Sequence, residues 1–168
     1  MDSATNVEPD SNGTHKMKIL DVLPREAILA DLKAQDKKSI LEELVAPIAR
    51  LKSADLDELV LVLMERERLG STGIGSGIGI PHGKLKNLDD LVLGYGLSHK
   101  GVDFESMDGQ PTHIFFLLMT PENSTGLHLK VLARISKILK SETFRERLLG
   151  ATDRDEIYGI IKDEDVDF

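Results

Sequence analysis

From Gly73 to Gly79 a glycine stands at every second position, alternating with Ile74, Ser76 and Ile78, and the run leads directly into Ile80-Pro81-His82-Gly83-Lys84. No other stretch restricts the chain so strongly. Glycine at that density strips side chains from one side of an extended segment, so backbone N–H groups there are open to close approach by a ligand, and an anion suits such a surface. Pro81 fixes its own φ and biases Ile80 towards an extended conformation, while Gly83 gives the chain freedom to turn after the histidine. His82 is therefore expected on a tightly specified bend, with Gly79 and Gly83 as backbone candidates for holding an anion beside it.

Familiar glycine motifs do not fit this run. A dinucleotide fingerprint needs G-x-G-x-x-G, and the strict period of two puts isoleucine where its last glycine belongs. A P-loop needs a glycine five positions before Gly83 and Ser or Thr after Lys84, where the chain has Ile78 and Leu85. A nucleophile elbow fails because Ile74, not glycine, stands two before Ser76. On spacing alone, a glycine-rich edge strand carrying an incidental histidine fits equally well.

Composition narrows the classes. A chain of 168 residues can bury about 70% of its unfolded surface, enough for one core without staples. It has no cysteine, so disulfides and thiolate metal sites are excluded, in keeping with a reducing cytoplasm. The formal net charge of −8 opposes the counterion release that nucleic acids reward, and nucleic acid is not an expected partner. No apolar run approaches the roughly 20 residues of a membrane span, and no signal-peptide pattern opens the chain, so a cytoplasmic protein without membrane insertion is expected.

In chain order, residues 1–17 are polar and expected to be flexible, with His15 incidental, and residues 18–165 are expected to form the domain. The apolar run Ala27–Leu32 reads as a strand. A helix is expected from Ser39, with Ile40, Leu41, Leu44, Val45 and Ile48 on one stripe, bending or restarting at Pro47 because an interior proline costs about 3 kcal/mol. The next helix is better marked: Asp55 is a candidate N-cap with Glu58 three residues on, Leu56, Leu59, Val60, Leu63 and Met64 form the apolar face, and Gly70 is the stop. Arg66 falls in its last turn, off the stripe, where a solvated arginine is also favoured by the helix dipole.

Beyond Lys84, Leu91–Leu97 and His113–Met119 read as strands joined by the turn-rich Gly101–Pro111. His99 and His113 flank these runs without metal-ligand spacing and read as polar strand ends. A helix is expected from Gly126 to about Lys140 with His128, Val131, Leu132, Ile135 and Leu139 on one face. A histidine on such a stripe is ordinarily a core residue with a satisfied hydrogen bond. Two short helices, Glu142–Leu149 and Asp153–Ile161, precede an acidic end. Alternating strands and amphipathic helices give an α/β single domain, a mixed β-sheet flanked by helices. A zinc hydrolase built on His82, His99, His113 and His128 lacks carboxylates or histidines at i, i+4 spacing, so neither metal nor cofactor is expected.

The segment Glu65-Arg66-Glu67-Arg68-Leu69-Gly70-Ser71-Thr72-Gly73-Ile74-Gly75-Ser76-Gly77-Ile78-Gly79-Ile80-Pro81-His82-Gly83-Lys84, with Leu127-His128-Leu129 further on, resembles the type-2 enzyme IIA domain of the bacterial phosphotransferase system. The resemblance spans about Leu20 to Glu164. Its wording is most like the nitrogen-regulatory branch, beside the fructose and mannitol branches. It implies that His82 accepts a phosphoryl group on Nε2 from an HPr-like carrier, and that His128 is brought against it. It also implies that Arg66, sixteen positions before His82, rather than Arg68, lies beside the phosphate. The branch further implies control of nitrogen and potassium physiology through regulated targets such as a sensor kinase or potassium transporter; a sugar-uptake enzyme IIA of the fructose or mannitol type is the alternative.

The chemistry suits imidazole. With an unperturbed pKa of about 6.5, a neutral histidine offers one ring nitrogen for in-line attack on phosphorus, and the protein's task is then positioning and charge balance.

Overall fold

The computed structural model describes residues 17–168; the readings made for residues 1–16, His15 among them, lie outside the described residues. The apolar run around Phe115 becomes strand β6 (Thr112–Pro121), in which every residue except His113 is buried. On one side it pairs antiparallel with β5 (Val92–Val102), Tyr95 lying opposite Phe116. Along its other side two short strands follow one another in parallel: β3 (Ile78–Gly79) beside Ile114 and Phe115, then β4 (His82–Leu85) beside Leu118 to Pro121. Strand β2 (Gly73–Gly75) pairs antiparallel with β3 at one edge of the sheet, and β1 (Ile28–Leu29) pairs parallel with β5 at the other. The sheet is mixed, as expected, and helices cover it.

Helices α1 (Lys37–Lys52) and α2 (Leu56–Arg68) pack on each other and against β5 and β4 respectively, and α3 (Thr125–Ile138) packs on β6. Helices α4 (Glu142–Leu149) and α5 (Arg154–Glu164) close the body against β5, β6 and β1. The N-cap reading of Asp55 holds: its carboxylate accepts the Asp57 N–H at 2.9 Å and also bonds Glu58. This fixes the start of α2, and therefore how far its last turn reaches towards His82. Both ends of the described chain are tied down. Met17 and Phe168 exchange backbone hydrogen bonds of 3.2 and 2.9 Å, and the buried Asp165 accepts the Ile19 N–H at 2.7 Å and the Leu20 N–H at 2.9 Å. Met17 and Phe168 are themselves partly buried against the core.

Several local expectations are corrected. Helix α1 runs through Pro47 without a restart; Pro47 and Ile48 are both buried, so core burial holds the turn that has lost a backbone donor. The strand expected over Ala27–Leu32 shrinks to Ile28–Leu29, because Arg25–Ala27 form a 3-10 turn and beyond the strand the backbone bond to β5 is that of the Leu32 N–H to the Leu97 carbonyl. Strand β5 extends into the region read as a loop, reaching Val102 through an irregularity after Leu97. The largest change concerns the glycine run, which is not one extended segment. Gly75, Ser76 and Gly77 all have positive φ and turn the chain back on itself between β2 and β3, with Asp108 accepting the Ser76 N–H at 3.0 Å.

Gly83 does something other than turn the chain. A Cβ there would lie 2.6 Å from Val62 Cγ1, so its bare backbone is what lets α2 lie close on β4 and brings Arg66 near His82. Gly83→Ala is expected to force the two elements apart and to destabilise the fold by about 1–3 kcal/mol, the usual range for overpacking a close contact. Urea denaturation checks this: the midpoint should fall with the m-value unchanged, and an unchanged midpoint would contradict the close-approach account.

Candidate functional site

His82 is the first residue of β4, and its setting follows from the backbone just before it. The Pro81 carbonyl accepts the Leu118 N–H at 3.0 Å, which ties the preceding peptide to the buried central strand. The half-buried ring then turns back so that Nδ1 lies 2.7 Å from the Ile80 carbonyl. A carbonyl oxygen only accepts, so Nδ1 is the donor in this bond. In the neutral ring the lone pair is thereby left on Nε2, which no hydrogen bond among the described residues engages.

The second histidine comes from a different element. His128 sits in the first turns of α3, 5% exposed, with its ring centroid 5.5 Å from that of His82 and the two planes inclined at 57°. Its Nδ1 is 2.6 Å from the hydroxyl of the fully buried Thr120 at the end of β6. When that hydroxyl donates, the proton of the neutral His128 ring is on Nε2, a donor for a ligand between the rings.

The cations around the pair are Arg66 and Lys84. Both line a cavity of about 430 Å³ together with His82, Gly83, His128, Val62, Glu65 and Leu69. The Arg66 guanidinium is held over the end of α2 by donating to the Gly70 carbonyl at 2.9 Å, whereas Arg68 is turned away into an ion pair with Glu65 at 2.8 Å. Lys84, which the sequence reading passed over, donates to the Thr125 hydroxyl at 2.9 Å at the start of α3. Its signal was available: two residues beyond His82 on one strand, it shares the histidine's face.

Of the two glycines expected near an anion, only Gly83 lines the cavity. Gly79 packs instead against Phe115 and Thr112, where an added Cβ would meet ring and methyl carbons at 3.2 Å. His99 and His113 lie apart from the pair and donate to the carbonyls of Ala30 and Ser98, at 3.2 and 2.8 Å. Among the described residues no group of three or more His, Asp or Glu side chains is placed to hold a metal ion.

Both rings of the pair are held neutral. Burial lowers the His82 pKa below 6.5 and the Arg66 charge adds to this, while the Ile80 carbonyl and the Glu67 carboxylate oppose it. His128 is pushed down to about 4, chiefly by burial and further by His82 and Lys84. The cavity thus combines a neutral nucleophilic nitrogen with two fixed cations, an arrangement that suits a phosphoryl dianion.

These displaced values also set a pH dependence. A lowered histidine pKa means that the folded chain binds fewer protons than the unfolded one between about pH 6.5 and 4, so stability is full above that window and is lost as pH falls through it. For His128 the loss is on the order of 3 kcal/mol. Chemical denaturation of wild type and His128→Gln across this window should show a steeper decline for wild type, and identical slopes would contradict the buried neutral ring.

A family model described as "Phosphoenolpyruvate-dependent sugar phosphotransferase system, EIIA 2" matches residues 21–164. A "Nitrogen regulatory protein" of Bradyrhizobium diazoefficiens is 41% identical over 145 residues, covering 86% of this chain and 95% of that protein. The "PTS system fructose-specific EIIABC component" of Bacillus subtilis is 36% identical across 89% of this chain, which spans 24% of that longer protein. Among solved structures, the nitrogen regulatory protein IIA-Ntr of Neisseria meningitidis superposes with a TM-score of 0.79 at 32% identity, covering 84% of this chain and 97% of that one. The chain therefore belongs to the EIIA type-2 family of the phosphotransferase system, and its similarity to nitrogen regulatory proteins runs over nearly their whole length.

Proposed function

We propose that the protein is a phosphoryl carrier that accepts a phosphoryl group on Nε2 of His82 from an HPr-like phosphocarrier. The observation that carries this reading is the bond from Nδ1 of His82 to the Ile80 carbonyl at 2.7 Å, which leaves Nε2 as the free nucleophile beside two cations. In the transfer the donor's N–P bond breaks as the new bond to Nε2 forms, and the donor imidazole leaves with the electron pair. The proton of His82 stays on Nδ1, donated to the Ile80 carbonyl. Arg66, Lys84 and the Nε2–H of His128 balance the charge of the three equatorial oxygens. A histidine, not a metal-bound water, is the acceptor in this scheme, so the product is a stored phosphohistidine.

A protein donor is favoured by the surface around the cavity. Leu69, in the lining of the cavity, is 84% exposed and offers apolar area that a small metabolite would not need. A reducing cytoplasm is the compartment this reading requires, in keeping with a chain that lacks cysteine.

We infer further that the phosphorylation state is read by regulated targets in nitrogen or potassium physiology, with a sensor kinase or a potassium transporter as the expected kinds of target. Full-length similarity to a nitrogen regulatory protein supports this. The second reading, a sugar-uptake enzyme IIA, is supported by the 36% identity to part of a fructose-specific protein. Phosphorylation places a phosphoryl dianion between Arg66 and Lys84, offset in part by the cationic ring of His82 while Nδ1 keeps its proton, and this is enough to change which partners dock around the cavity.

Intact-mass measurement after incubation with phosphorylated carrier should give one acid-labile phosphate on wild type and none on His82→Ala. Arg66→Ala should remain folded and transfer roughly tenfold to hundredfold more slowly, the range expected for a lost charge-assisted bond of about 1.5–3 kcal/mol. Equal labelling of His82→Ala would remove His82 as acceptor, and a wild-type rate for Arg66→Ala would remove Arg66 from the site. Affinity capture with the phosphorylated and unphosphorylated forms should recover different regulatory partners. Capture of a single sugar's permease alone, in either form, would favour the uptake reading instead.

A further inference from the structure

Glu67 is the only acidic residue of α2 that is buried, and the described function gives it no task. Its side chain is 2% exposed and its carboxylate is fully engaged. Oε1 accepts the Thr72 N–H at 3.1 Å and lies 3.1 Å from Lys37 Nζ, while Oε2 accepts from the Thr72 hydroxyl. Thr72 is itself buried, and its carbonyl accepts the Ile80 N–H at 3.0 Å. The next group along is the Ile80 carbonyl, the acceptor for His82 Nδ1.

A buried carboxylate paired with a lysine gains little stability, because desolvation offsets the attraction and an apolar pair of similar size often does as well. Geometry is the better account of why it is there. The Ile80 carbonyl lies between two backbone anchors: the Ile80 N–H, fixed by Thr72, and the Pro81 carbonyl, fixed by Leu118 on β6. The second anchor belongs to the buried central strand, whereas the first lies one residue beyond the short edge pairing of β2 with β3, where Glu67 grips both donors of Thr72.

We propose that Glu67 is a positioning residue for His82: through Thr72 it holds the Ile80 carbonyl that keeps the imidazole proton on Nδ1 and the lone pair on Nε2. This rests on the reading of His82 as phosphoryl acceptor. Its direct readout is the tautomer of His82, which needs no phosphoryl donor. An amide at position 67 has a single acceptor oxygen and cannot receive both Thr72 donors through its two terminal atoms.

The test uses the full chain. Ring 15N NMR at about pH 8, above the ordinary imidazole value of about 6.5, reports the tautomer. Phosphorylation by a phosphorylated HPr-like carrier or by phosphoramidate reports the rate. Wild type should show a single Nδ1–H tautomer at His82. Glu67→Gln should show mixed tautomers and a maximal rate lowered roughly tenfold to hundredfold, as for other small misplacements of a reacting group, with KM for the carrier unchanged. Thr72→Val should reproduce this loss and Thr72→Ser should restore both readouts, a pair that decides the matter if Glu67→Gln does not fold. A wild-type tautomer in Glu67→Gln and Thr72→Val overturns the proposal, whether or not the rate falls, because a slower rate with an unmoved proton acts by another route. If wild type takes up no phosphoryl group, the acceptor reading fails while the tautomer comparison still judges Glu67.

Discussion

The site depends on the parallel pairing of the segment from Gly77 to Leu85 with the buried strand β6. Gly77 accepts the backbone N–H groups of His113 and Ile114, Pro81 accepts that of Leu118, and β4 continues the ladder to Pro121. A residue that has to present one ring nitrogen in a fixed direction gains most from this. The backbone at His82 is ordered by a ladder paid for in folding, so the proposed transfer would need little further ordering there. Gly83 and the Asp55 cap then bring α2 onto that strand, and the turn at the end of β6 brings α3 and His128 against it. The elements that carry Arg66 and His128 are thus set by the same sheet that sets His82.

Electrostatically, the cavity suits an anion. Both imidazoles are kept neutral by burial and by the neighbouring cations, on a protein whose overall formal charge is −8. Arg66 and Lys84 are each parked on an oxygen of the protein, the Gly70 carbonyl and the Thr125 hydroxyl, bonds weak enough to exchange for a dianion. Membership of the EIIA type-2 family fits such a cavity, and the similarity to nitrogen regulatory proteins gives the regulatory reading its support.

Much of this was legible from local pattern. The apolar run of β6, the capped and striped α2, and the mixed α/β class follow from periodicity and end signals, which act over a few residues. The restart weighed at Pro47 does not occur, because the rule for proline counts a lost hydrogen bond and not the core burial of the turn around it. The glycine run misled for a related reason: a period of two describes an extended strand, and nothing in it announces the three consecutive positive φ values that fold it into a hairpin. Nor could spacing bring His128 to His82, since one is on α3 and the other on β4; that expectation came from the family resemblance. Thr120 and Glu67 escaped notice because their importance lies in buried partners supplied by the tertiary fold, whereas Lys84 could have been found from its strand parity with His82.

The most direct measurement of the central claim is the position of the phosphorus atom itself. Phosphorylated protein, uniformly labelled with 15N, can be studied by 31P–15N correlation at neutral pH with its histidine rings assigned. The account predicts a single phosphorus coupled to Nε2 of His82, with the proton on Nδ1 retained. Coupling to Nδ1 of His82, or to either nitrogen of His128, would contradict it.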